Sequence, residues 1–175
     1  IYFSIFKNGI YKRQVLSQQN YSSETLPYKR GDILDRDGNT LATSQKMYTL
    51  VLEPKNILRS EEVQKSTIDA LHKYMKLDED KLLKFIKRHK DSYYSVYREE
   101  LSYSQIADLK DFIASDKAEN VSGIVFNEKY KRRYPNQSLA SQVIGFVSDG
   151  TIGTGGIEQY YNSTLSGVDG RDRKS

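Results

Sequence analysis

The chain has 175 residues, no cysteine, a formal net charge of +4, 37% apolar residues and 29% charged ones. Disulfides and thiolate metal sites are excluded, and so is a membrane-spanning helix, which needs about 20 consecutive apolar residues. The length suffices for one domain or two small lobes. So modest an apolar share beside so many charges favours an elongated or lobed body over a compact globule. The basic excess is compatible with nucleic acid, anionic lipid, anionic wall polymer or plain solubility, and net charge alone does not choose.

Residues 1–29 read as an approach segment. Its apolar start, Ile1–Phe6, is either the frayed end of a removed membrane anchor or an ordinary strand or helix start, and Lys7, Lys12 and Arg13 follow it. Pro27 biases Leu26 away from helix. A hairpin is predicted over 30–42. Ile33 and Leu34 on one side and Leu41 on the other flank Asp37-Gly38, a dipeptide suited to the positive-φ positions of a tight turn. The turn carries three consecutive charges, Asp35, Arg36 and Asp37. Asp35, Asp37 and Asn39 also fall at positions 1, 3 and 5 of a calcium loop, but Thr40 and Lys46 stand where that loop needs Gly and Glu. Met47–Leu52 is a β-rich run ended by Glu53-Pro54, a candidate buried strand.

The chain then becomes helical. Ser60 can cap a helix that has Glu61 and Glu62 in its first turn and Val63, Thr67, Ala70, Leu71 and Tyr74 at helical spacing. Asp78 can cap a second helix with Leu82, Phe85 and Ile86 on one face. Tyr93–Tyr97 alternates like a strand, and Ser102 or Ser104 opens a third helix through Ile106, Leu109 and Ile113. Residues 59–120 thus form an α-rich lobe between two β-rich pieces. After Asn120 the β character returns: Val121–Phe126 is a strand that Lys129–Tyr134 extends. Ser138 can cap a short amphipathic segment through Ala140, Val143 and Ile144. Gly145–Val147 leads into a Gly-rich stretch, 150–156, and a helix over 157–165 is ended by Gly167 and Gly170.

Three stretches carry a family resemblance. Arg30-Gly31-Asp-Ile-Leu-Asp35-Arg36-Asp-Gly38-Asn-Thr-Leu-Ala resembles the first motif of the non-catalytic N-terminal module of class B penicillin-binding proteins. Arg133-Tyr134-Pro135, with Ala140 and Val143-Ile-Gly145, resembles the second, although Gln142 stands where the family often has His. Gly153-Thr-Gly-Gly156-Ile-Glu158, then Tyr161, Leu165, Gly167 and Gly170, resembles the third. The resemblance covers 30–52 and 121–170, and the lobe by position only. The two flanks are each too short to bury a core, since an isolated hairpin is at best marginal in water, so an α+β fold is expected: an elongated β-rich base built from the flanks 30–58 and 121–170, with 59–120 inserted as the lobe and 171–175 beginning a linker. The resemblance implies a pedestal that needs no cofactor. The pedestal holds a D,D-transpeptidase domain outside the bacterial cytoplasmic membrane, tethered by an N-terminal anchor. Its partners would be that domain and either a membrane glycan polymerase or a second copy.

From the residues alone the motifs read structurally. Gly38 and Gly156 suit backbone positions closed to side chains. Glu158 near a helix start is favoured by the helix dipole and can pair with an Arg. Arg30, Asp35, Arg36, Arg133 and Glu158 are candidates for a partly buried ion network, the packing of the two flanks bringing Arg30 or Arg36 to Glu158. The bland alternative is ordinary surface charge, worth about 0–1 kcal/mol each.

Acyl-transfer chemistry of the penicillin type needs Ser three residues before Lys, with SxN and K-[ST]-G elements. Ser4-Ile-Phe-Lys7 has the first spelling with neither partner downstream, a coincidence. His72 and His89 have no second ligand at metal-site spacing. The stretch 150–156 lacks the Gly-Lys-[ST] ending that holds phosphates. Asn20, Asn136 and Asn162 begin glycosylation sequons that are irrelevant in a bacterium. The rival reading rests on Lys129-Tyr-Lys-Arg-Arg-Tyr134, where basic residues interleave with aromatics as in a polyanion groove for wall polymer or nucleic acid.

Overall fold

The computed structural model describes residues 25–135, 143–148, 152–168 and 170–171. The apolar start and most of the approach segment lie outside the described residues. So do Ser4–Lys7, the sequon residues Asn20 and Asn136, Ser138, Ala140 and Gln142, residues 149–151 at the start of the Gly-rich stretch, and 172–175.

One long strand organises the molecule. β3 (Thr40–Leu52) is 13 residues long. It joins into one element what the sequence presented as a hairpin return and a separate buried run. Its last six residues, from Met47 onward, are all buried, Tyr48, Leu50 and Leu52 among them in the core shared with the helices. β5 (Ile124–Arg133) pairs antiparallel along one edge, from Thr43↔Arg133 to Leu52↔Ile124. On the opposite edge lies β4 (Ser95–Leu101), paired from Tyr48↔Leu101 to Leu52↔Ser95. β2 (Ile33–Leu34) pairs with the start of β3. The two sequence-distant flanks therefore meet directly, as β3 and β5.

The turn between β2 and β3 has the expected chemistry. Gly38 has φ +84°, a conformation only glycine adopts without strain. Asp35 closes the loop, its Oδ1 accepting the Asp37 and Asn39 amides at 2.9 and 2.8 Å while Oδ2 accepts the Asn39 side-chain amide at 2.8 Å. Those bonds, the Asn39 side chain's first, hold the Asp35 carboxyl below its usual range.

After the short α1 (Pro54–Ile57), three helices cover one sheet face. α2 (Glu61–Met75) starts at Ser60, whose hydroxyl accepts the Val63 amide at 3.2 Å. α3 (Glu79–Arg88) starts at Asp78, which accepts the Lys81 amide at 2.8 Å. α4 (Tyr103–Ala114) starts at Ser102, whose amide donates to Gln105 Oε1 at 2.8 Å. Leu71, Leu82, Ile86, Ile106 and Leu109 pack with Tyr48, Leu50 and Leu52 of β3 in the main core. The strand expected at 93–97 begins two residues later and runs to Leu101. Because it pairs with β3, the helical stretch is laced into the sheet.

The last third differs more from expectation. β6 (Phe146–Ser148) and β7 (Ile152–Thr154) form an antiparallel ribbon where the sequence suggested a Gly-rich loop. The single helix expected over 157–165 is two short ones, α5 (Gly156–Tyr160) and α6 (Asn162–Leu165). β8 (Gly170–Arg171) pairs antiparallel with β1 (Thr25–Leu26). A small second core, with Ile33, Ala42 and Ile144 buried and Leu41, Tyr134, Ile157 and Leu165 packed around them, sits at this end.

Candidate functional site

The second core adjoins the most heavily charged buried cluster among the described residues. Glu158, near the N-terminus of α5, is fully buried, and Arg30, just before β2, is 1% exposed. Arg30 Nε donates to Glu158 Oε2 at 2.8 Å, and its Nη2 donates to the Glu158 carbonyl at 2.9 Å. Its Nη1 reaches Asn162 Oδ1 at 3.0 Å and Ser166 Oγ at 2.9 Å. One guanidinium thus clamps the start of β2 to both short helices.

A second arginine completes the carboxylate. Arg132 on β5, with its side chain 4% exposed, donates from Nε to Glu158 Oε1 at 2.8 Å. Its Nη1 donates to Ser44 Oγ of β3 at 3.0 Å, and that hydroxyl donates to the Arg30 carbonyl at 3.1 Å. Among the described residues Arg132 Nη2 is a buried donor with no acceptor. The Tyr134 hydroxyl donates to Glu158 Oε1 at 3.3 Å. Burial, and then the Glu158 charge, push the Tyr134 phenol up. Each carboxylate oxygen of Glu158 is thus met by an arginine Nε–H, and guanidinium groups stay protonated in proteins. The cluster is a joint that ties β2, β3, β5, α5 and α6 together.

The sequence-predicted residues divide sharply. Arg30 and Glu158 meet, and Tyr134 joins them. Asp35 organises its own turn. Arg36, 93% exposed, is 3.8 Å from Asp37 and remote from Glu158 in the contacts it makes. Arg133 is exposed and donates to Gln45 Oε1 at 3.1 Å. The basic member contributed by β5 is its neighbour Arg132. Alternation explains this: Ile124 and Phe126 face the helices, so even-numbered Arg132 shares their face and Arg133 points to the other. That signal was legible in the run 124–133. Ser44, Asn162 and Ser166 left no comparable sign, since only the long-range pairing brings them here.

The glycines of the motifs mark close backbone approaches. A Cβ on Gly153 would lie 2.1 Å from the Glu158 carbonyl oxygen and 2.8 Å from Arg30 Nη2. Gly145 and Gly156 cross each other's segments, where a Cβ would lie 2.1 Å from the Gly155 oxygen and 2.2 Å from the Val143 oxygen respectively. Gly31 abuts Leu165, Gly167 abuts Tyr28, and Gly170 pairs with Leu26. Pro135 is exposed just beyond β5.

The basic run on β5 is largely neutralised. Lys129 pairs with Glu99 at 3.1 Å, Lys131 with Glu100, and Lys46 of β3 with Glu128. With Arg132 consumed by Glu158, the polyanion reading is not favoured. His72 and His89 lie beside backbone carbonyls, Nδ1 at 2.8 Å from Leu77 O and 2.9 Å from Phe85 O. Among the described residues no helix is long and apolar enough to cross a membrane.

Comparison with known proteins places this architecture. Stage V sporulation protein D of Bacillus subtilis (strain 168) is 29% identical over 155 residues, covering 85% of this chain and 22% of its own. The peptidoglycan D,D-transpeptidase FtsI of Buchnera aphidicola subsp. Schizaphis graminum is 28% identical over 144 residues, 82% of this chain and 24% of its own. The crystal structure of penicillin binding protein 2X from Streptococcus thermophilus superposes with a TM-score of 0.69 at 26% identity, over 86% of this chain and 24% of that one. The chain therefore spans under a quarter of the length of these proteins. The profile of the penicillin-binding protein dimerisation domain matches residues 25–174, and the chain belongs to that family.

Proposed function

We propose that this chain is the non-catalytic pedestal of a class B penicillin-binding protein, a peptidoglycan D,D-transpeptidase whose catalytic domain follows it in the chain. In this reading 30–58 and 121–170 are the base and 59–120 the partner-facing lobe. Residues 1–29 are the membrane-proximal approach, and 171–175 begin the linker. The module works on the extracytoplasmic face of the cell membrane, tethered by a single N-terminal anchor. It contacts its own transpeptidase domain and either a second copy or a membrane glycan polymerase.

The observation that carries the reading is the Arg30–Glu158–Arg132 joint. It locks the sequence-distant flanks into one base, which a positioning module requires and a free-standing catalyst or polyanion groove does not. Names of the relatives supply the chemistry: several are peptidoglycan D,D-transpeptidases, and the match to them is confined to this module.

The test uses the longer protein in cells. Removing the module while keeping the anchor fused to the rest should leave acylation by a fluorescent penicillin intact and abolish support of wall synthesis in a depletion strain. Normal growth with the module removed would refute a positioning role.

A further inference from the structure

Within that reading, the structure points to where the next domain sits. β1 and β8 are antiparallel, Thr25 opposite Arg171 and Leu26 opposite Gly170. Strands that run in opposite directions send their outer ends the same way. The N-terminal end of β1 and the C-terminal end of β8 therefore lie side by side, and the body between them hangs from a two-strand root.

The β6–β7 ribbon is bound to the arginine–glutamate joint and to α6, the last helix before β8. Asn162 Oδ1 accepts from both the Gly153 amide and Arg30 Nη1, and Leu165 at the end of α6 accepts the Gly31 amide at 2.9 Å. The ribbon's inner face carries half-buried Val147 and buried Gly153. Its outer face carries Phe146, Ser148, Ile152 and Thr154, all exposed. The register sets Phe146 opposite Thr154 and Ser148 opposite Ile152, so Phe146 and Ile152 are diagonal neighbours within reach of each other. They are 58% and 62% exposed, and Val143 in the same segment is 64% exposed. More than half of the large apolar side chains that stand exposed among the described residues fall between 143 and 168, beside the smaller of the two cores.

We propose that the outer face of the β6–β7 ribbon, centred on Phe146 and Ile152, is the seat of the domain that follows residue 171 in the longer protein. The relatives have more than three quarters of their length outside the matched region. A domain tethered at Arg171 is held at high effective concentration beside the root. The ribbon's inner face is already packed on α5, so the outer face is the one left for a covering body.

The absence of cysteine allows a clean test. Phe146→Cys is introduced into the 175-residue chain and into the longer protein, and alkylation of the peptide bearing position 146 is followed. Val96→Cys on β4, also an exposed position, is the control. The seat predicts that the position-146 thiol reacts roughly tenfold more slowly or worse in the longer protein, because reaction follows access, while the position-96 thiol reacts equally in both. Equal rates at position 146, or equal protection of both thiols, would overturn the proposal. Protection that grows with protein concentration would assign the face to a second copy and overturn it too. Failure of the longer protein to be acylated by penicillin would sink the functional reading instead, leaving the protection measurement to judge the seat.

Discussion

Replacing Glu158 by Gln removes one charge and almost no volume. The carboxylate oxygens each receive an arginine Nε–H at 2.8 Å. A glutamine amide has one acceptor oxygen, so it can serve only one arginine while its NH2 confronts donors of the other. Two guanidinium groups, 1% and 4% exposed, are then buried without a counter-charge. Breaking a buried pair in this way costs about 3–5 kcal/mol, a large share of the roughly 5–15 kcal/mol that holds an ordinary domain together. The joint's hydrogen bonds run to β2, α5 and α6 rather than to the helices of the main core, so the loss falls first on those segments. Hydrogen exchange should show amides of 30–34 and 152–165 losing protection in the variant, while α2 and α4 keep most of theirs. Denaturation should become less cooperative or shift to a lower midpoint. A variant whose midpoint and exchange pattern match the parent within about 0.5 kcal/mol, the scatter of neutral surface changes, would show that Glu158 does not hold the two arginines.

Other consequences follow from the same geometry. Gly38→Val should cost about 1–3 kcal/mol through backbone strain at φ +84°, and since nothing lies within 4 Å of its Cβ site, an unchanged urea midpoint would contradict the turn assignment. Asp35 is held below its usual range by Asn39, and Asp32 by the hydroxyl of Thr43. Depressed carboxylates give stability that is complete above their unfolded pKa and is lost as pH falls through the folded value. The β2–β3 turn should therefore loosen only below about pH 4, seen as faster exchange of the Asp37 and Asn39 amides, and loosening between pH 5 and 7 would contradict this. The isolated chain should gain no mass on incubation with a β-lactam, because its one SxxK spelling, Ser4–Lys7, has no SxN or K-[ST]-G element to complete it; a ring-opened adduct in the intact mass would overturn the pedestal assignment.

Much of the fold was written locally. Ser60, Asp78 and Ser102 cap the helices that their spacing announced, and Asp37-Gly38 makes the turn it suggested. These features depend on neighbours a few residues away. What depended on long-range pairing was harder to read. β3 looked broken at Thr43–Lys46 because polar residues there face solvent or the joint, yet β5 pairs through them. The β6–β7 ribbon looked like a loop because Gly153 has no side chain, and it has none because Arg30 and Glu158 occupy that space. Arg30 and Glu158 were legible as partners through their motifs, whereas the choice of Arg132 over Arg133 required following the strand's alternation from Phe126.

One buried carboxylate holds arginines from both flanks. Nitrogen-15 NMR of the arginine side chains tests it directly. Two Nε–H resonances, from Arg30 and Arg132, should persist at neutral pH with slow exchange, and both should vanish or broaden together in Glu158→Gln while that of exposed Arg36 is unaffected. If every arginine Nε–H exchanges at the solvent rate in the parent chain, or if only one of the two responds to the substitution, the joint is not built as described.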